Sequence, residues 1–200
     1  MSNNDILTRF NEGITWNGLT YLVYKILTTA VTFLLFAQLS TNNFVTWTSL
    51  QSLIYLTLLW LDFGLRKSIP RYLPLLEQYQ LPMQVILKIF FMVYGFLLLC
   101  SAVLLVYYGP QISHFLHITY NYHVFILTGM LVCLEGMVAV IRLIFHAQFK
   151  NKAFNIMSTL LLGAESSLVV VLIIGCWPIT VVQLFLIRIM TSSSIIFGTE

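Results

Sequence analysis

Four charged side chains lie inside strongly apolar stretches of this sequence. Two are cations, Lys25 and Arg188, and two are carboxylates, Glu135 and Glu165. In a hydrocarbon environment an ionised side chain is costly unless it pairs with an opposite charge or lines a water-filled cavity. Such a set of charges suits ion pairing inside a helix bundle, or the binding and transport of a charged substrate or a coupling ion.

The surroundings of these charges are those of an integral membrane protein. Of the 200 residues, 59% are hydrophobic and only 8% are charged, and the mean hydropathy is +0.90. Soluble domains average about 25% charged residues. The first residues are polar and mixed in charge and contain no signal-peptide pattern, which predicts that the first span itself directs membrane insertion.

Six stretches are long enough to cross a bilayer, for which a helix needs about 20 residues. They are residues 14–39, 44–65, 82–108, 122–146, 154–176 and 179–197. Short connections join them, and no linker or soluble domain interrupts them. The sequence therefore predicts an all-α fold, a polytopic bundle of six transmembrane helices in a single domain over residues 1–200.

The basic residues of the connections predict the orientation. The second connection contains Arg66, Lys67 and Arg71, and the fourth contains Lys150 and Lys152, whereas the first, third and fifth contain no Lys or Arg. Connections rich in Lys and Arg remain in the cytoplasm. We therefore expect the N-terminus to lie inside, in a multi-pass protein of the cytoplasmic (inner) membrane.

This topology predicts that the four intramembrane charges lie at one depth. Lys25 is about eleven residues into the first span, or roughly 16 Å along a helix. Glu135 and Glu165 fall at a similar depth in the fourth and fifth spans, and Arg188 is about nine residues into the sixth. Pairing of Lys25 with Glu135 or Glu165 is one expectation.

Polar residues form stripes at helical spacing on the first two spans. The stripe on the first span is Asn17, Tyr21, Lys25, Thr28 and Thr32, and the stripe on the second is Thr48, Gln51, Tyr55 and Asp62. Polar stripes in membrane bundles face other protein or water rather than lipid. Two interpretations remain open: interhelical hydrogen bonds that hold the bundle together, and the lining of a central water-filled cavity.

The sequence lacks the patterns that are typical of enzymes and of nucleic-acid-binding proteins. His114, His117 and His123 are close in sequence, but no further ligand or general base accompanies them. There is no glycine-rich phosphate loop, nucleophile elbow or basic patch. The sequence thus predicts no catalytic residue, no metal, no cofactor and no nucleic-acid partner, and the protein is not expected to be an enzyme.

The segment "LWLDFGLRKSIPRYLP" (59–74) carries a resemblance to a known family. Its aspartate–aromatic–glycine–leucine step after the second span, followed by "IPRYL", resembles the polysaccharide and O-antigen flippases of the multidrug/oligosaccharidyl-lipid/polysaccharide exporter superfamily. The preceding segment 42–60 resembles their short turn, aromatic residue and second span. The resemblance is best over residues 14–75, and beyond them it rests on the layout of the spans.

The resemblance implies one lobe of a two-lobe flippase, because such proteins usually have twelve to fourteen spans in two six-helix lobes around a central cavity. The chain would be an N-terminal half or a truncated form, as the lack of a basic stop after the sixth span also favours. Alternatively, it would be a half-transporter that pairs with a second copy or another lobe.

The implied function belongs to polysaccharide or lipopolysaccharide biosynthesis: flipping a lipid-linked oligosaccharide across the bilayer by alternating access. The cavity candidates are Lys25, Arg188, Asn17, Tyr21 and Tyr55, and the coupling or ion-pair candidates are Asp62, Glu135 and Glu165. The expected partners are the lipid bilayer, the lipid-linked sugar and a second lobe or copy. Two alternatives stay open: a drug or cation antiporter of the same superfamily, and a non-transporting membrane subunit or inert fragment.

Overall fold

The computed structural model describes residues 3–62, 64, 68, 71–72, 83–147, 151–174 and 179–197. Within these residues the protein is entirely helical, which confirms the predicted all-α class. The seven helices are α1 (Asn3–Gln38), α2 (Thr41–Trp60), α3 (Met83–Tyr107), α4 (Gly109–Phe115), α5 (Tyr122–Ala147), α6 (Asn151–Ile174) and α7 (Val181–Phe197).

The helices follow the predicted hydrophobic stretches, with two differences. Helix α1 is 36 residues long and begins at Asn3, well before the predicted start of the first span at residue 14. The connection 109–121 contains the short helix α4, which the sequence reading did not predict. Its Pro110 is at the start of the helix, where a missing backbone N–H costs nothing.

Helix α2 has a defined beginning and end. The side chain of Ser40 accepts a hydrogen bond from the backbone N–H of Asn43 at 3.5 Å, which caps the N-terminus. After the helix ends at Trp60, Gly64 adopts a φ of +78°, a left-handed conformation that glycine reaches without strain. Gly64 therefore follows the helix as part of a turn.

Helix α5 is at the centre of the packing. It packs most extensively against α3 and α7 and also contacts α2 and α6, whereas α1 lies mainly along α6 and touches α2 only slightly. The main core is formed by Leu50 and Ile54 of α2, Leu98 of α3, Leu131 of α5 and Phe185 of α7, all almost completely buried. The main core is thus built around α5 by residues of α2, α3 and α7.

The outer surface is apolar, as a protein surrounded by lipid requires. Large hydrophobic side chains are exposed on every long helix, for example Phe33, Trp60, Phe96, Val171 and Met190. Three helices are long and apolar enough to cross a membrane, through Tyr21–Gln38, Val85–Tyr107 and Tyr122–Phe145. Shorter apolar stretches occur at Ser158–Ile173 and Val181–Ser194. These features are those of a membrane protein.

Close approach of α3 and α5 depends on Gly136. A Cβ atom at this position would overlap the side chain of Leu98, which is 1% exposed and has no room to withdraw. We expect Gly136→Ala to lower the free energy of unfolding by about 1–3 kcal/mol, the usual cost of overpacking a core. Denaturant titration in detergent micelles measures this change.

Gly163 of α6 offers a matched control for Gly136. A Cβ atom there would meet nothing within 4 Å. Gly163→Ala should leave stability unchanged or raise it slightly, because alanine is the better helix former. Equal effects of the two substitutions would contradict the packing argument.

Candidate functional site

Arg188 of α7 and Glu135 of α5 form an ion pair inside the bundle. Arg188 Nε donates to Glu135 Oε1 at 2.5 Å, and the two side chains are 18% and 14% exposed. Two of the four predicted intramembrane charges therefore meet. The partner of Glu135 is Arg188 and not Lys25, so the pairing of Lys25 with Glu135 considered above does not occur in this structure.

Two tyrosines extend this ion pair toward the first two helices. Arg188 Nη2 donates to the hydroxyl of Tyr55 at 3.1 Å, and the guanidinium carbon lies 5.8 Å from the centroid of the Tyr55 ring. Tyr24 of α1 is in turn hydrogen-bonded to Tyr55 and interacts electrostatically with Arg188 and Glu135. We call Tyr24, Tyr55, Glu135 and Arg188 the charged cluster.

Tyr24 was missing from the residues singled out in the sequence. It lies three residues after Tyr21 and four before Thr28, at the spacing that brings side chains together on one face of a helix. It therefore belongs at the edge of the polar stripe, and this spacing is the signal that would have identified it. The predicted stripe, which runs through Lys25, does not include Tyr24.

Glu165 of α6 lies beside the charged cluster. Its nearest hydrogen-bond partner is the hydroxyl of Thr191 on α7, with 3.4 Å between Thr191 Oγ1 and Glu165 Oε2. Glu165 also interacts electrostatically with Arg188 and Glu135. Both carboxylates and Arg188, which the sequence predicts at one depth together with Lys25, are thus close enough to interact. Thr191 is a second residue that the sequence pattern did not single out.

Lys25 is separate from the charged cluster and borders an open cavity of about 430 Å³. We call this cavity the Lys25 groove. It lies between α1 and the beginning of α2 and is lined by Lys25, Thr28, Thr29, Thr32, Phe33, Phe36 and Phe44. Its position follows from the packing of the helices, because α1 lies along α6 and leaves its Lys25 face uncovered by α2.

The chemistry of the Lys25 groove is cationic at one end and aromatic along its walls. Lys25 is exposed, and its Nζ atom lies 5.5 Å from the centroid of the Tyr21 ring. The hydroxyls of Thr28 and Thr32 donate to carbonyl oxygens of their own helix at 2.7 Å, those of Tyr24 and Thr28. Among the residues that the structure describes, no carboxylate pairs with Lys25. The groove therefore offers an ammonium group beside apolar surface.

The stripe on α2 behaves differently from the stripe on α1. Gln51 is 8% exposed, and its side-chain nitrogen and oxygen have no hydrogen-bond partner. An amide buried in this way costs about 1–3 kcal/mol for each unsatisfied group. Gln51 thus faces other protein but makes none of the interhelical hydrogen bonds that one interpretation supposed. Tyr55 of the same stripe is half exposed and accepts such a bond from Arg188.

The remaining predicted residues lie outside both sites or outside the described side chains. Tyr21 is 63% exposed on α1 and touches the groove through Lys25. Asp62 is half-buried in the turn after α2. Asn17 belongs to α1, but its side chain lies outside the described part of the structure, as do Lys67 and Lys150 in the basic connections.

The part of the chain that the structure describes contains no group of three or more His, Cys, Asp or Glu residues arranged to hold a metal ion. His114, His117 and His123 are exposed around α4. His117 has a positive φ of 53° in the turn after this helix. The cluster and the groove are accordingly the two places where the described residues bring polar chemistry into the apolar bundle.

Comparison with known proteins adds no relative from which a function could be transferred. No protein-family model, curated protein or solved structure matches the chain, so its function has to be argued from its own residues.

Proposed function

We propose that the chain is a transport lobe that moves an amphipathic anion across the cytoplasmic membrane, and that this anion is a lipid-linked oligosaccharide. The observation that carries the proposal is the Lys25 groove. An exposed ammonium group borders this apolar groove, and at the depth predicted for Lys25 an anion without a cationic partner would be unstable. The resemblance of residues 59–74 to polysaccharide flippases names the substrate class.

The shape and lining of the groove suit such a substrate. The ammonium group of Lys25 would neutralise a phosphate or pyrophosphate, and Phe33, Phe36 and Phe44 would contact the lipid chain. Arg188 is a weaker candidate for the anion, since Glu135 and Tyr55 already hold its guanidinium group. The existing contacts of Arg188 thus distinguish it from Lys25, the other cation predicted to line the cavity.

The topology that we propose has six spans with the N-terminus inside. The helices α1, α2, α3, α5, α6 and α7 would be the spans, and α4 would lie outside between the third and fourth. In this arrangement the open groove on α1 and α2 would face a second lobe, provided by another chain or another copy. Rocking of two such lobes would expose the groove to each side in turn.

Flipping in reconstituted vesicles tests the proposal. The lobe is inserted into proteoliposomes that contain a sugar-labelled isoprenoid pyrophosphate, and an enzyme added outside measures how much label reaches the outer leaflet. The assay is run with the chain alone and with a co-expressed second lobe. We expect protein-dependent flipping of the pyrophosphate lipid and none of a neutral glycolipid with the same sugar.

The alternatives predict other outcomes in the same vesicles. A cation antiporter would move a drug cation in exchange for protons and ignore the lipid. A non-transporting subunit would move neither substrate. Either outcome, obtained with correctly inserted protein and both lobes present, would overturn the proposal.

A further inference from the structure

Glu165 belongs to α6, and this helix packs against three others, α1, α5 and α7. The charged or titratable groups of the cluster and the groove are Glu135 on α5, Arg188 on α7, Tyr55 on α2, and Tyr24 and Lys25 on α1. Of the two cations, Arg188 is the one that interacts electrostatically with Glu165, whereas Lys25 borders the groove.

The charges of Arg188, Glu135 and Glu165 do not balance if both carboxylates are ionised. Arg188 is a single cation, and its Nε and Nη2 atoms already bond to Glu135 and Tyr55. A second ionised carboxylate beside this pair would be an excess negative charge inside an apolar bundle, which is costly. A neutral Glu165 removes that excess.

The hydrogen-bond geometry of Thr191 points the same way and is independent of the charge count. A hydroxyl has one proton to donate. Thr191 Oγ1 lies 3.0 Å from the carbonyl oxygen of Arg188 and 3.4 Å from Glu165 Oε2, so the carbonyl is the closer acceptor. With the hydroxyl proton on the carbonyl, Oγ1 is left as an acceptor toward Glu165, which suits a carboxyl group that carries a proton better than a carboxylate.

We propose that Glu165 is a proton-binding site, whose protonated form donates to Thr191 while Glu135 remains the ionised partner of Arg188. Releasing the proton breaks the O–H bond of the carboxyl group, passes the proton to water and leaves a carboxylate that competes with Glu135 for Arg188. The exchange of partners would change the contacts of α7 with α5 and α6. That Glu165 couples a proton gradient to movement of the lipid rests on the proposed transport function, whereas its protonation does not.

Infrared spectroscopy of the full chain in lipid tests the protonation directly. A protonated carboxyl group has a C=O stretch well separated from the bands of a carboxylate, and glutamate labelled with ¹³C at the side-chain carboxyl shifts this band. We expect a ¹³C-sensitive protonated carboxyl band at neutral pH that disappears at high pH. Its absence at neutral pH in the wild-type protein would overturn the proposal without any variant.

Two variants assign the band. Glu165→Gln has the size and neutrality of the protonated side chain, so it should fold and lose the band. Asp62→Asn removes a carboxyl group outside the cluster and should keep the band. A band that survives in Glu165→Gln would also overturn the proposal.

The transport role is measured separately. In the vesicle assay, flipping by Glu165→Gln should not change when a pH gradient is applied, whereas flipping by the wild-type protein should rise several-fold. If the wild-type protein does not flip lipid but keeps the Glu165 band, the proposed function fails and the proton site remains. If flipping depends on the gradient equally in both proteins, the coupling role of Glu165 fails.

Discussion

Glu135→Met is expected to lower the free energy of unfolding by about 3 kcal/mol, the largest stability effect among the substitutions considered for this protein. The substitution removes the carboxylate that Arg188 Nε donates to and, while Glu165 stays protonated, leaves a guanidinium group without an ionised partner inside the bundle at 18% exposure. An uncompensated charge in a protein interior or at membrane depth typically costs about 3 kcal/mol or more. Denaturant titration in mixed micelles, with helical circular dichroism as the signal, measures the loss.

The double variant Glu135→Met/Arg188→Met is the matched control for this prediction. It removes both charges and fills their space with flexible apolar side chains, so it should recover most of the lost stability, as buried ion pairs replaced by apolar residues usually do. The coupling energy from the double-mutant cycle then measures the ion pair. A double variant as unstable as Glu135→Met alone would show that packing, and not charge, is what Glu135 contributes.

Lys25→Ala is expected to reduce flipping of the pyrophosphate lipid at least about 100-fold while insertion into the membrane is retained. Without the ammonium group, the anion has no cationic partner in the Lys25 groove, and a difference of about 3 kcal/mol in stabilisation corresponds to roughly a hundredfold in rate. Stability should change little, because Lys25 is exposed and its recorded interaction is the contact with the Tyr21 ring. The vesicle assay and the yield of inserted protein give the two measurements.

Two further substitutions separate the charge of Lys25 from its position. Lys25→Arg keeps a cation at the groove and should retain much of the activity. Lys88→Ala removes an exposed lysine from α3, outside the groove, and should leave flipping unchanged. Full activity of Lys25→Ala, or an equal loss in Lys88→Ala, would remove the groove from the mechanism.

The helices were predictable because hydrophobic length and helical spacing are local properties. The ends of α3, α5, α6 and α7 lie within a few residues of the predicted stretches. Hydrophobicity alone did not predict two features of the helices. The polar residues before residue 14 continue α1 as one helix, and Pro110 lies at the start of a short helix within a predicted connection.

Counting residues along a helix, at about 1.5 Å each, predicted which charged residues would lie near one another but not which would pair. Glu135, Glu165 and Arg188, which were expected at one depth, do interact electrostatically. Which side chains meet depends on the rotation of each helix and on its neighbours. These are set by packing between residues far apart in the sequence, such as the buried contacts of Leu50, Leu98 and Phe185 around α5.

By itself, then, the sequence determined an apolar, all-helical chain with charges embedded in its apolar stretches and a polar stripe along its first long helix. Only the tertiary structure decided that Arg188 neutralises Glu135, that Tyr24 and Thr191 join the site, and that Lys25 borders a groove without a carboxylate partner among the described residues. The physical reason is that α1 packs along α6 and scarcely touches α2. The same lysine that could have completed an ion pair is thereby left at an open, aromatic-lined surface.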